Sequence, residues 1–163
     1  MKIQIVPIED EYEETVIDLI LNIQQNEFNV AVTLADQPDL QDIKNFYYEG
    51  GGCFWGAFID GQLVGTIALK IFSEDAGAIR KMFVKQDYRG KELGIAQQLL
   101  ENLILYSREK GLNDLYLGTV SILKAALRFY EKNYFVQIGK EDLPGSFPLM
   151  SADNVYCHLI LNA

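Results

Sequence analysis

Val84-Lys85-Gln86-Asp87-Tyr88-Arg89-Gly90-Lys91-Glu92-Leu93-Gly94-Ile95-Ala96-Gln97-Gln98-Leu99-Leu100 reads as the end of a strand, a basic glycine turn and the start of a helix. Such a turn brings backbone N–H groups and the positive end of a helix dipole to one point, which is what gripping a pyrophosphate requires. A diphosphate-bearing ligand is the first expectation.

The elements around this turn follow from periodicity. Ile3 and Ile5, with Ile8 beyond, alternate with polar residues as an edge-like strand. Between Asp10 and Asn26 the period changes, and Val16, Leu19, Ile20 and Ile23 predict a helix whose start is favoured by Asp10, Glu11, Glu13 and Glu14. After an irregular stretch from Glu27 to Asp39, a short helix is expected from Asp39 to Tyr48, capped by Asp39 or a neighbour and ended by Gly50-Gly51-Gly52. The runs 53–59 and 62–72 flank Asp60-Gly61, a hairpin signal. A strand from Ala78 to Val84 enters the glycine turn, and Leu93 to Lys110 forms a helix stopped by Gly111. Leu115, Leu117 and Thr119 mark the next strand, Ser121 can cap a helix from Ile122 to Asn133, and strands over 134–138 and 155–161 close the series.

The order is strand, two helices, three strands, helix, strand, helix, two strands. It predicts one α/β (α+β) domain over residues 1–163 with a mixed, mostly antiparallel sheet of about seven strands and about four flanking helices, because only the unit around the glycine turn needs a parallel crossover. A dinucleotide fold would need Gly-x-Gly-x-x-Gly straight after the first strand, where this chain has none.

Charge and composition narrow the ligand. At 163 residues, 49% apolar and 23% charged, the chain has ordinary globular composition, and its net charge of −9 disfavours general affinity for nucleic acid or an anionic membrane surface. An anionic ligand would need a local basic site, which Arg80, Lys81, Lys85, Arg89 and Lys91 can form. Cys53 and Cys157 sit in apolar strands with no partner at metal-ligand spacing, so buried free thiols and no metal are expected. The first residues lack the apolar core of a signal peptide, and a cytoplasmic setting is expected.

The element order resembles the GNAT superfamily of N-acetyltransferases, whose acetyl-CoA loop has the pattern Gln/Arg-x-x-Gly-x-Gly/Ala. Lys91-Glu92-Leu93-Gly94-Ile95-Ala96 fits it with lysine first, and Leu99-Leu100 fall at the family's apolar pair. A frame beginning at Arg89 would put Glu92 in a glycine position and slip the leucines by two, so the Lys91 frame is preferred. A second segment, Ala125-Ala126-Leu127-Arg128-Phe129-Tyr130-Glu131-Lys132-Asn133-Tyr134-Phe135, is similar to the family's Ala-x-x-x-Tyr-Glu-Lys-x-Gly-Phe, with Tyr134 replacing glycine.

The resemblance implies an enzyme that moves acetyl from acetyl-CoA directly to a primary amine. Arg89, Gly90, Lys91, Glu92, Leu93, Gly94, Ile95 and Ala96 would hold the pyrophosphate, with Glu92 turned outward. Met82, Phe83 and Val84 would pair with the pantetheine as an added strand, and Thr119 and Tyr130 would complete the cofactor set. Tyr130 is the implied general acid; the alternative is a packed tyrosine, since it shares a helical face with Leu123, Ala126 and Phe129. No base is evident: Glu27, Asp36, Asp39 and Glu74 could act directly or through water, the alternative reading for each being a solvated surface acid, and His158 reads as structural instead of as a base. The acceptor pocket is expected near Glu27, Phe28, Asp36, Tyr47 and Phe147, suiting a small-molecule or peptide amine, in particular a cationic one with some apolar body. A homodimer is compatible with this reading. The rival is a non-catalytic acyl-CoA sensor built on the same loop.

Overall fold

The computed structural model describes residues 2–90 and 92–161. Seven strands form one sheet in the order β1-β2-β3-β4-β5-β7-β6: β1 Ile3–Pro7, β2 Cys53–Ile59, β3 Gln62–Ile71, β4 Ala76–Val84, β5 Asp114–Thr119, β6 Val136–Ile138 and β7 Val155–Ile160. Only β4 and β5 run parallel; the other neighbours are antiparallel. Three α-helices, α1 Glu13–Leu21, α2 Ile95–Glu109 and α3 Lys124–Lys132, and a π-helical turn at Lys44–Tyr48 flank it.

Alternation along β2 explains the two layers. Phe54 and Phe58 pack with Val16, Ile20 and Ile23 from the α1 side, whereas Trp55, Ala57 and Ile59 pack with Leu99, Leu100 and Leu103 of α2. Both faces are therefore covered, and β2 is buried along its whole length. The β2–β3 turn takes the backbone that Asp-Gly favours, with φ of 50° at Asp60 and 79° at Gly61. Gly65 lets α2 approach β3, since a Cβ there would lie 3.2 Å from Leu99 Cδ1.

Several expected elements differ. The first helix is a 3-10 turn at Asp10–Tyr12, then α1, then a π-helical segment Asn22–Glu27. The helix expected over 39–48 is two pieces, Pro38–Gln41 and Lys44–Tyr48. Asp39 caps neither: its carboxylate is buried, accepts a 2.6 Å bond from the Tyr47 hydroxyl, and lies 3.8 Å from Arg80 and 3.7 Å from Lys81. It is the opposite of a solvated acid. Ser121 does not cap α3; its N–H donates to Asn154 Oδ1 at 2.8 Å, and α3 starts at Lys124. Tyr134 lies outside β6, largely exposed.

The feature that makes the site is a bulge in β4. The β3–β4 register shifts between Thr66 and Ala68, Lys81 takes a φ of 54°, and the Thr66 hydroxyl donates to the Lys81 carbonyl at 2.7 Å. Pairing of β4 with β5 ends at Ile79 and Leu117, although β5 continues to Thr119 against β7. Beyond that point the two parallel strands part.

Candidate active site

Two cavities lie beside the parted strands. One, about 270 Å³, lies between β4 and α3 and is lined by Phe28, Met82, Val84, Arg89, Ala96 and Phe129 among others. The second, about 130 Å³, is lined by Arg80, Lys81, Gly118, Thr119, Phe147 and Asp153 among others. Met82, Phe83, Leu123, Ala126 and Tyr130 line both. The shared wall sets the two cavities side by side.

At the far end of the first cavity stands the start of α2. Gly94 enters the helix at φ 62°, Gly90 precedes it at φ 121°, and among the described residues no side chain caps the first turn. N–H groups at the head of a 15-residue helix are donors on which the helix dipole favours an anionic acceptor. Ala96, in that first turn, lines the cavity, whose other walls are mostly apolar. A phosphate group at the helix and an extended organic arm toward Tyr130 fit this shape. Glu92 is exposed, and Ile95 is buried in the α2 core instead of facing the cavity. Lys91 lies outside the described residues.

Arg89 is held differently from expectation. Its guanidinium makes a bidentate pair with Glu27, its Nε donates to the Val84 carbonyl at 2.8 Å, and it sits over the Phe28 ring. The acid expected in the acceptor pocket thus neutralises the base expected on the phosphates. Phe28 lines the first cavity, not the second. Asp36 is exposed and bound to Thr33, and Tyr47 is fully buried behind Arg80; neither lines a cavity. Of the expected acceptor residues, Phe147 alone lines the second one. Thr119 also lines the second cavity, away from the head of α2.

The basic residues that form one cluster in sequence are divided by the fold. Arg80 and Lys81 are buried in the wall of the second cavity, Lys85 lines a separate groove near α1, and Arg89 serves Glu27. Burial lowers the Lys81 ammonium to a pKa of about 8, the pull of Asp39 only partly opposing it. Its Nζ donates to Gln37 Oε1 at 2.6 Å.

Tyr130 is buried where the cavities meet. Its backbone is fixed by the end of α3: Phe135 N–H donates to the Tyr130 carbonyl and Tyr134 N–H to the Glu131 carbonyl, the paired bonds of a Schellman motif. Tyr134 takes the left-handed position, φ 72°, that glycine usually fills, and the Phe135 ring packs 5.5 Å from Tyr130. Burial raises the Tyr130 pKa well above its ordinary value, so the hydroxyl keeps its proton. His158 lies outside both cavities, stacked on Tyr116 and bonded to Asp114 at 2.8 Å.

A charged residue that the motifs did not single out also lines the second cavity. Asp153 lies in the loop before β7, and a Cβ at Gly118 would come within 2.4 Å of its Oδ2, so the carboxylate fills the space that a side chain on β5 would take. Burial pushes its pKa up to about 6 although Arg80 and Lys81 pull it down. Only the fold brings it here; nothing in its sequence surroundings signals the contact.

A strand parted from its parallel neighbour beside a glycine-entered helix is the arrangement that the sequence resemblance implies, and the comparison with known families agrees. The model of the acetyltransferase (GNAT) family matches residues 17–135, and the chain belongs to that family. It is 32% identical over 122 residues to a probable N-acetyltransferase, camello, of Xenopus tropicalis, covering 73% of this chain and 55% of that protein. It is 34% identical over 107 residues to the N-acetylaspartate synthetase of the same organism, covering 64% of this chain and 39% of that one. The chain therefore spans about half or less of these curated relatives. Among solved structures, a GNAT-family acetyltransferase from Staphylococcus aureus Mu50 superposes with a TM-score of 0.96 at 38% identity, covering 99% of this chain and all of that one.

Proposed function

We propose that this chain transfers acetyl from acetyl-CoA to the primary amine of a small acceptor that also carries a carboxylate. The observation that carries the reading is Tyr130, buried with its proton retained where an apolar cleft leading from the head of α2 meets a charged cavity. When bound, acetyl-CoA would supply its acetyl group as a thioester, and transfer would release CoA thiol.

The residues divide the work. N–H groups at the start of α2, with Gly90 and Gly94 keeping the approach open, would hold the pyrophosphate. The β4 edge from Met82 to Val84, unpaired on its β5 side, offers backbone donors and acceptors to the pantetheine arm. The Tyr130 hydroxyl would protonate the departing sulfur.

The acceptor side supports a different substrate from the cationic amine expected from sequence. Arg80 and Lys81 set two cations in the wall against the carboxylate of Asp153, an arrangement suited to a molecule bearing both ammonium and carboxylate. The N-acetylaspartate synthetase likeness agrees with such an acceptor. A cytoplasmic setting belongs to the same reading, supported by the free buried thiols Cys53 and Cys157. Among the described residues no helix is long and apolar enough to cross a membrane.

A panel of amines assayed for acetyl-CoA consumption tests this. Amino acids and other carboxylate-bearing amines are expected to turn over fastest; turnover confined to polyamines would overturn the acceptor class, and none with any amine would overturn acetyl transfer.

A further inference from the structure

An aliphatic ammonium has no lone pair with which to attack a carbonyl, and at neutral pH nearly every such amine carries its extra proton. We infer that Asp153 is the proton acceptor that frees the acceptor amine in the second cavity, an assignment that rests on the acetyl-transfer reading above.

Geometry singles it out. Among the described residues it is the one carboxylate lining either cavity, and it shares the second with Tyr130. Its place is built from two sides. On β5, Gly118 leaves the carboxylate its room. In the loop, the Asp153 N–H donates to the Met150 carbonyl at 3.2 Å, and the next residue, Asn154, is tied to the end of β5 through its N–H to the Thr119 carbonyl at 2.9 Å. The other acid in the neighbourhood, Asp39, is committed to Tyr47, Arg80 and Lys81 and lines neither cavity. Lys81 is itself a donor, to Gln37.

The charged and titratable groups facing Asp153 are Arg80 and Lys81 from β4, Tyr130 from α3 and Tyr156 from β7, whose hydroxyl donates to the Asp153 carbonyl at 3.2 Å. With its carboxyl raised to about 6, Asp153 is ionised at neutral pH yet more basic than an ordinary aspartate. In the step, an N–H bond of the ammonium breaks with its electron pair left on nitrogen, and an O–H bond forms on Asp153. The products are a neutral amine and a neutral carboxyl. That proton returns to solvent once the product leaves. The second proton, lost by nitrogen on becoming an amide, balances the one gained by the thiol.

Asp153→Asn in the full chain tests this, with steady-state kinetics on the best acceptor of the amine panel and CoA affinity by calorimetry. We expect kcat to fall by roughly 100-fold or more, CoA affinity to stay within about twofold, and the acid limb of the kcat/KM profile to disappear. Gly118→Ala should lower kcat too, by displacing a chemically intact Asp153, and serves alone if Asp153→Asn does not fold. Lys81→Met should move the acid limb to higher pH, because it removes a cation that favours the carboxylate. Retention of more than about half of kcat by Asp153→Asn, or an unchanged acid limb, overturns the assignment while leaving acetyl transfer standing. A wild type that binds CoA but turns over no amine overturns both.

Discussion

The Tyr130 hydroxyl donates to Met82 Sδ at 3.5 Å, joining α3 to β4 where β4 and β5 have parted. Sulfur is a weak acceptor, so this bond holds the hydroxyl in place without committing its proton. Tyr130→Phe removes the proton and keeps the ring against Phe129 and Phe135. We expect kcat to drop on the order of 100-fold with CoA affinity and melting temperature nearly unchanged. Steady-state kinetics beside calorimetry would check it, and full activity in the variant would return Tyr130 to a packing role.

Glu27 competes with any phosphate for the Arg89 guanidinium. The pair is partly exposed, so its stability contribution is at most about 1 kcal/mol. Glu27→Gln should therefore leave unfolding almost unaffected while tightening CoA binding a few-fold and steepening its salt dependence. Calorimetric titrations at two ionic strengths read this directly; weaker binding would mean that Glu27 instead holds Arg89 in its useful position.

Lys81 makes stability depend on alkaline pH. Its folded pKa, about 8, lies below the unfolded value near ~10.4. Between the two the unfolded chain binds more protons, so this residue's contribution improves as pH rises through that window and worsens as pH falls through about 8. Urea unfolding at pH 7, 8, 9 and 10 should show the wild type gaining on Lys81→Met at the upper end. A constant difference between the two would refute the shift.

Tyr134 stands in the left-handed conformation at φ 72°, largely exposed. Glycine adopts that backbone without the Cβ clash, so Tyr134→Gly should stabilise the protein by about 1 kcal/mol. Gly52→Ala is the reverse case: its Cβ would lie 2.0 Å from the Leu69 carbonyl oxygen, and a loss of roughly 3 kcal/mol or more is expected. Thermal melts of the two variants should move in opposite directions.

Local patterns gave the element order because each rests on near neighbours in the chain. Asp60-Gly61 could be read as a turn, and Val16 through Ile23 as a helical face, from spacing alone. The π-helical segments at Asn22–Glu27 and Lys44–Tyr48 were not legible, since their hydrophobic spacing resembles that of an α-helix. Asp39 reads as a solvated acid because nothing nearby in sequence shows the Arg80 and Lys81 whose charges offset its burial.

By itself the sequence determined the strand and helix order, the glycine turn and the tyrosine of the later signature, all of them written within short windows of chain. Tertiary structure decided what those residues face. The bulge at Lys81 opens the sheet and turns Arg80 and Lys81 into one cavity, Arg89 goes to Glu27, and the loop before β7 sets Asp153 against Gly118 from a different part of the chain. Charge and pKa depend on burial and on neighbours across the fold, and those distances exist only after the chain has packed.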